Sequence, residues 1–137
     1  MRNNNQNTNA FLLHISSFMG HLFPLGSIIT PLVLWQTQKN KSSFLDKHGK
    51  EAINFNISFS IYLFILSASL TSFSFGRSFN LFKNTHINLQ LYNHNLFEIV
   101  SLAGILGLIK IALIIIAAMK ANEGEPYQYP FTINFIK

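Results

Sequence analysis

The chain contains no cysteine among its 137 residues and only five Asp or Glu residues. The first absence excludes disulfides, thiolate metal sites and a cysteine nucleophile. Since ten Lys or Arg residues outnumber the few acids, the net charge is +5. A basic balance of this kind favours nucleic acid or anionic lipid as a partner, and the placement of the charges decides between the two.

Charge is missing altogether from Ala52 to Phe75, and these twenty-four residues also contain no proline and no glycine. About 20 helical residues cross a hydrocarbon core of roughly 30 Å. Within that core only a helix or a closed barrel satisfies the backbone hydrogen bonds. The stretch therefore predicts a membrane-spanning helix over residues 52–75.

Two further apolar segments accompany this span. Residues 10–35 carry no Asp, Glu, Lys or Arg but are broken by Pro24 and Pro31, so they form either one kinked span or a re-entrant pair of half-helices. Residues 97–120 predict another span, with Lys110 near its middle. The predicted fold class is an all-α integral membrane protein, a helical bundle of three membrane segments of which the first is Pro-kinked or re-entrant.

This layout leaves no room for a separate soluble catalytic domain. We expect a disordered Asn-rich arm and one helical membrane domain, divided as follows: arm 1–9, domain 10–136, segments 10–35, 52–75 and 97–120, loops 36–51 and 76–96, and tail 121–137. We expect no enzymatic activity, no cofactor and no nucleic-acid partner. The expected partners are the lipid bilayer and a membrane-protein complex or a second copy of the chain.

The basic residues are distributed unequally between the two predicted sides of the membrane. With three spans, the first loop and the C-terminus share one side with six Lys residues, against three basic residues on the other side. Cytoplasmic loops carry the excess of Lys and Arg. The first loop and the C-terminus are therefore predicted to be cytoplasmic, in an inner or plasma membrane. The N-terminus faces outward if the first segment spans and inward if it is re-entrant.

Polar residues form two nearly opposite stripes on the second segment. One stripe includes Asn54 and Ser58, and the other includes Asn56 and Ser60. Because lipid offers amides and hydroxyls no partner, polar stripes predict contacts with other segments on both sides. The alternative is that serines merely scatter along a membrane helix.

Three ionisable side chains lie inside the apolar segments. Lys110 either extends its side chain to the interface or takes part in pairing or conduction. His14 and His21 lie seven residues apart, so a regular helix places both on one face. There they either hydrogen-bond to other helices, or bind a metal, ligate a haem or relay protons.

Short sequence patterns mark where the second predicted segment begins and where the third one ends, both on the predicted cytoplasmic side. Ser43 with Asp46 resembles a capping box that starts a helix, and Asn122 with Gly124 indicates that the last helix stops there. The candidate partner-docking residues at these boundaries are Lys47, His48, Lys50, Glu51, Tyr127 and Tyr129. The alternative is that the charged residues only anchor the helix at the headgroups and the tyrosines only form an aromatic belt.

Two runs carry a family resemblance: His48-Gly49-Lys50-Glu51-Ala52-Ile53-Asn54-Phe55 and Lys120-Ala121-Asn122-Glu123-Gly124-Glu125 with Tyr127, Tyr129 and Pro130. The chain resembles a family of small bacterial membrane proteins of unknown function that is grouped with the chloroplast inner-envelope import component of the Tic type. The resemblance implies an all-helical membrane fold and, by distant analogy, a part in protein import, with no catalytic residues. The second loop and Lys110 depart from that pattern.

The leading hypothesis is an accessory or scaffolding subunit of a membrane assembly that uses the first loop and the tail for docking. One alternative is an oligomeric permeation pathway or transporter component lined by the serines of the second segment and by Lys110. The other is a membrane protein that binds a cofactor through His14 and His21.

Overall fold

The structure, a computed structural model, describes residues 4–23, 25–83 and 89–137, and the side chains among them except those of 73–99. Four α-helices account for most of these residues: α1 Asn4–Ile15, α2 Gly26–Gln38, α3 Ser43–Lys83 and α4 Leu89–Asn122. A 3₁₀ helix, Ser16–His21, follows α1. The described residues contain no strand, so the prediction of an all-α fold is confirmed for them.

Two helices are long and apolar enough to cross a membrane, with candidate spans at Ser43–Ser72 in α3 and Val100–Asn122 in α4. A third span is not confirmed. The predicted first segment is divided into α1, of 12 residues, and α2, of 13 residues, each shorter than the roughly 20 that a span requires. Pro24, the predicted site of a kink, lies outside the described residues.

The N-terminal arm and the two loops differ from the sequence-based layout. Helix α1 begins at Asn4, so the part of the predicted disordered arm that the structure describes is helical. The first loop shortens to residues 39–42 because α3 begins at Ser43. Much of the predicted second loop is also helical, since α3 continues to Lys83 and α4 begins at Leu89; residues 84–88 lie outside the described residues.

Ser42 caps the N-terminus of α3, one residue before the predicted capping box. Its Oγ accepts a hydrogen bond from the backbone N–H of Leu45 at 3.2 Å. The Asp46 carboxylate points elsewhere, accepting a hydrogen bond from Trp35 Nε1 at 2.9 Å and pairing with Lys50 at 2.6 Å. Asp46 therefore connects α3 to α2 rather than closing a capping box.

Helix α4 ends as the sequence predicts. Gly124 adopts a φ of 78°, in the left-handed region that a residue without Cβ reaches at little cost. Its N–H donates to the carbonyl of Ala121 at 3.1 Å, and the N–H of Glu125 donates to the carbonyl of Lys120 at 2.9 Å. This pair of bonds is the Schellman motif, and it releases the chain into an extended tail.

The described chain divides into two compact units, one formed by Met1–Ser60 with Ile111–Lys137 and the other by Ile61–Lys110. The first unit holds two buried apolar clusters. One is formed by Ala10, Leu13, Trp35, Leu45, Ile53 and Ala121, and the other by Phe55, Ile114, Ala117 and Tyr129. Side chains from all four helices and from the tail therefore meet in the core of the first unit.

Candidate functional site

A buried polar cluster in the first unit joins α1, α3 and the tail. We call His14, His48 and Tyr129 the His14 cluster. His14 Nε2 lies 2.8 Å from His48 Nδ1, and His14 Nδ1 lies 3.0 Å from the Tyr129 hydroxyl. All three side chains are buried. Since the residues are 34 and 115 positions apart in the chain, the cluster fixes the tertiary arrangement of three segments.

Burial keeps His14 and Tyr129 uncharged. Desolvation, together with the neighbouring His48, lowers the pKa of His14 from an ordinary 6.5 to about 3. Desolvation raises the pKa of Tyr129 well above its ordinary value, so its hydroxyl keeps its proton. A neutral imidazole has one N–H and one acceptor nitrogen, so the hydrogen bonds run in one direction through His14, either from Tyr129 towards His48 or the reverse.

Aromatic rings pack around the cluster and exclude water. The Tyr129 ring stacks on Phe55 with a centroid distance of 3.9 Å and an interplanar angle of 7°. Phe44 packs against the His48 ring at 4.4 Å, and Tyr127 contacts Tyr129 edge to face at 5.2 Å. These contacts explain why burial dominates the pKa of His14.

One face of α3 holds the tail through side chains that bond to tail backbone groups. We call Glu51, Asn54 and Ser58 the tail-binding face. The Asn54 amide donates to the carbonyl of Ile136 at 3.0 Å and accepts from its N–H at 2.9 Å. Ser58 Oγ accepts from the N–H of Ile133 at 2.9 Å, and the Glu51 carboxylate accepts from the N–H of Tyr129 at 3.4 Å. The side chains of α3 thereby satisfy backbone groups of the tail that would be costly to leave without partners in an apolar environment.

The opposite face of α3 contacts the 3₁₀ helix instead. The Asn56 amide donates to Ser17 Oγ at 2.7 Å in a buried position. The two polar stripes predicted on this helix therefore reach different elements, the tail on one side and the first segment on the other. From Ser67 to Ser72 the hydroxyls bond to carbonyls of their own helix and are exposed, so the alternative of scattered serines describes that part.

Five of the six predicted docking residues fall into two groups, and the sixth, Tyr127, lies half-buried against Tyr129. Lys47, Lys50 and Glu51 line a cleft of about 370 Å³ together with residues of the tail, among them Asn134 and Lys137. His48 and Tyr129 instead belong to the buried His14 cluster. Tyr129 does more than the alternative of an aromatic belt describes, because its hydroxyl has a buried partner in His14.

The two histidines of the first segment lie in different environments. His14 is buried, whereas His21 is exposed and its ring Nδ1 lies 3.1 Å from the carbonyl of Phe18. The 3₁₀ helix has about three residues per turn, so it changes the direction in which residue 21 projects relative to a continuous α-helix. Among the described residues, no group of three or more His, Asp or Glu side chains could hold a metal ion.

Lys110 lies half-buried in the second unit, whereas the His14 cluster belongs to the first. The face of α4 that Lys110 shares with small residues is packed at Ala117 and Ala121, which are fully buried. Apart from its chain neighbours and its own helix backbone, no described atom would lie within 4 Å of a Cβ added at Gly107, and Ala103 is exposed. That face of α4 is therefore packed only in the part that belongs to the first unit.

Sequence reasoning missed three residues of this region. Trp35 donates to Asp46, and Lys39 lies 5.1 Å from the centre of the Trp35 ring. Gly49 lies against the same ring, where a Cβ would approach Trp35 Cδ1 to 2.2 Å. The only local signal was that Trp35 is the single tryptophan of the chain and ends an apolar segment.

Replacing Asn54 with leucine is expected to release the tail. The substitution removes both hydrogen bonds to Ile136 and leaves a backbone N–H and carbonyl without partners, at a cost of about 2 kcal/mol. Amide hydrogen exchange across residues 129–136 should then accelerate roughly tenfold or more. Ser60→Ala is the matched control, because the Ser60 hydroxyl bonds to a carbonyl of its own helix and not to the tail. Equal exchange in both variants would contradict the role of Asn54.

A family model described as the magnetosome magnetite crystal formation protein family matches residues 5–136. The match covers nearly the whole chain. No curated protein and no solved structure matches it. The resemblance to the family grouped with the Tic-type import component is therefore wrong, since the matching model belongs to a different family.

Proposed function

The chain belongs to the magnetosome magnetite crystal formation protein family, and on that premise we propose that it is an accessory subunit of the magnetosome membrane that supports crystal growth. In this role it performs no chemistry of its own. It is embedded through α3 and α4 and presents the surface around the start of α3 and the tail to another membrane protein. The first loop and the C-terminus face the cytoplasm.

The cleft between the start of α3 and the tail carries this proposal. Lys47 and Lys137 are exposed at the cleft, and Asn134 adds an amide to its lining. Lys50 and Glu51 also line it: Lys50 pairs with Asp46, while Glu51 accepts from the N–H of Tyr129 and is attracted by Lys47. An acidic segment of a partner protein fits a cleft with two exposed lysines, because complementary charge guides association and sets its register.

The shape of the cleft depends on the buried contacts described above. The His14 cluster and the tail-binding face hold residues 129–136 against α3, so Asn134 and Lys137 stay beside Lys47. A surface that is ordered before binding loses less conformational entropy when a partner docks. This arrangement supports a scaffolding role more directly than a permeation role, because the hydroxyls of Ser67 to Ser72 are bonded to their own helix.

Reversing the charge at Lys47 and Lys137 together is expected to reduce recovery of the partner about tenfold. Two exposed charge reversals change the binding free energy by about 1–2 kcal/mol. The measurement is quantitative mass spectrometry after purification of a tagged copy from magnetosome membranes in mild detergent. In the same cells, electron microscopy should show smaller or fewer magnetite crystals than with the unaltered chain.

Lys41→Glu provides the matched control, because Lys41 is exposed in the loop before α3 and does not line the cleft. Immunoblotting of the membrane fraction establishes that all variants insert to the same level. Unchanged partner recovery and unchanged crystals in the double variant, at equal membrane level, would contradict docking through the cleft. Normal crystals in cells that lack the chain altogether would contradict a role in crystal growth.

A further inference from the structure

The chain reverses direction between the 3₁₀ helix and α2. A Cβ on Gly20 would lie 2.8 Å from Ser27 Cβ, and one on Gly26 would lie 2.4 Å from the carbonyl oxygen of Met19. Such distances require direct backbone contact between the end of the 3₁₀ helix and the start of α2. Leu25 adopts a φ of 62°, in the left-handed region that suits a tight reversal and is costly for a residue with a branched side chain.

Contacts with α3 show the direction of the two legs of this reversal, the first formed by α1 with the 3₁₀ helix and the second by α2. On the way in, His14 lies beside His48 and Ser17 lies beside Asn56, so the first leg advances along α3. On the way out, Trp35 bonds to Asp46 and lies against Gly49, so α2 has returned to the start of α3. The two legs therefore begin and end at the same level of α3.

The N-terminal part of α1 lies at that level too. The Asn7 side-chain amide donates to the backbone carbonyl of Asn122 at 3.0 Å, and Gly124 packs against the same side chain. Asn122 is the last residue of α4. The N-terminal part of α1, the loop between α2 and α3, and the C-terminal end of α4 are thus neighbours within the first unit.

Helix geometry gives the depth of the reversal. Asn56 follows Ala52, the first residue of the uncharged stretch, by four residues, or about 6 Å of α-helix. The 3₁₀ helix from Ser17 onward continues inward at about 2 Å per residue. The turn near Leu22 therefore lies at most about 15 Å below the level of Ala52, or up to roughly half of a 30 Å hydrocarbon core.

The residues at the turn are apolar and exposed on the protein. The exposed fraction is 75% for Leu22 and 64% for Leu25, and Phe23 between them is 38% exposed. The sequence from residue 10 to residue 35 holds no Asp, Glu, Lys or Arg. Exposed aliphatic and aromatic side chains without a neighbouring charge fit acyl chains, because burial of apolar area there is favourable.

We propose that residues 4–38 form a re-entrant hairpin that enters and leaves the bilayer on the side of both termini, with Leu22, Phe23 and Leu25 among acyl chains near its middle. The distribution of charge agrees with this topology. Arg2 joins the side that already holds six Lys residues, which leaves Arg77 and Lys83 on the other side, so the excess of basic residues becomes larger than with three spans. This inference concerns the membrane topology and does not depend on the proposed function.

Single-cysteine labelling tests the topology directly, because the natural chain contains no cysteine. The variants are Asn5→Cys in α1, Lys41→Cys in the loop before α3, and Asn84→Cys between the two candidate spans. A membrane-impermeant maleimide is added to sealed vesicles of known orientation, and full labelling after detergent provides the reference. We expect residues 5 and 41 to react from the same side and residue 84 from the opposite side. Reaction of residues 5 and 84 from the same side would overturn the hairpin and establish a complete first span.

A nitroxide on Leu22→Cys tests the depth of the turn in liposomes of phosphatidylcholine and phosphatidylglycerol. Its collision rate with oxygen should exceed that with a water-soluble nickel complex, and the ratio should match a position near the bilayer centre. Lys41→Cys with the same label is the matched aqueous control. Preferential collision of the Leu22 label with the nickel complex would overturn insertion of the tip into acyl chains. Thermal unfolding of each labelled variant, compared with the unlabelled chain, establishes that the fold is retained.

Discussion

Replacing His14 with alanine is expected to lower the free energy of unfolding by about 3–4 kcal/mol. The substitution empties a fully buried site and removes the hydrogen-bond partner of both His48 and Tyr129. Loss of a buried side chain and of two buried hydrogen bonds are each among the few changes that cost several kcal/mol. Equilibrium unfolding in mixed micelles of mild and denaturing detergent measures the loss.

His21→Ala is the matched control, because His21 is exposed and its ring nitrogen lies beside the carbonyl of Phe18, one turn earlier in the same segment. Its effect on the free energy of unfolding should stay within about 0.5 kcal/mol. Tyr129→Phe should fall between the two, since it removes one hydroxyl and keeps the ring stacked on Phe55. Similar stability of the His14 and His21 variants would contradict the importance of the cluster.

The lowered pKa of His14 predicts how the free energy of unfolding depends on pH. The pKa of His14 falls from 6.5 in the unfolded chain to about 3 in the folded protein, so between these values the unfolded state binds more protons. Stability therefore rises with pH across this window, by up to about 1.4 kcal/mol per pH unit, and its His14 contribution is constant above pH 7. The slope between pH 4 and 6, measured by the same micelle unfolding, should decrease in His14→Ala.

Gly49→Ala is expected to destabilise the protein by about 2–4 kcal/mol, although alanine in a helix is normally favoured over glycine by about 1 kcal/mol. The added Cβ would lie 2.2 Å from Trp35 Cδ1 and 2.8 Å from Trp35 Cβ. The ring must move, and with it the hydrogen bond from Trp35 Nε1 to Asp46. Overpacking and the lost charge-assisted bond together exceed the gain in helix propensity.

Gly107→Ala in α4 is the control, for which we expect the opposite change in the free energy of unfolding. Apart from its chain neighbours and its own helix backbone, no described atom lies within 4 Å of its Cβ position, so we expect a gain in helix propensity of up to about 1 kcal/mol. The same micelle unfolding measures both variants. The prediction would be wrong if Gly49→Ala were as stable as Gly107→Ala. In that case the contact between Trp35 and α3 would not be close-packed.

Strong local patterns account for the parts of the fold that could be predicted. The uncharged stretch from Ala52 to Phe75 indicated α3, and the run of branched aliphatic residues before Lys120 indicated α4, because length and apolarity alone decide whether a helix can cross a membrane. The stop at Asn122 and Gly124 followed from the need for a left-handed residue after a helix. These signals act over a few neighbouring residues and are therefore visible in the sequence.

Long-range contacts account for what could not be predicted. His14 and His21 look equivalent in the sequence, yet only His14 meets His48, because the 3₁₀ helix rotates the chain between the two histidines. Tyr129 has the pattern of an interfacial aromatic residue, yet its hydroxyl bonds to a histidine 115 positions away. A contact between residues so far apart in the chain produces no repeating sequence pattern in either segment, so the sequence does not reveal it.

The sequence by itself determined that the protein is helical, that α3 and α4 are candidate spans, and where α4 ends, because propensity, hydropathy and capping are properties of neighbouring residues. The tertiary structure decided which polar groups meet: His14 with His48 and Tyr129, Asn54 with the tail, and Asn56 with Ser17. It also decided that the first segment folds back on itself. Each of these outcomes depends on which segments pack together in space, and buried hydrogen-bonding groups take their partners from whichever segment is there.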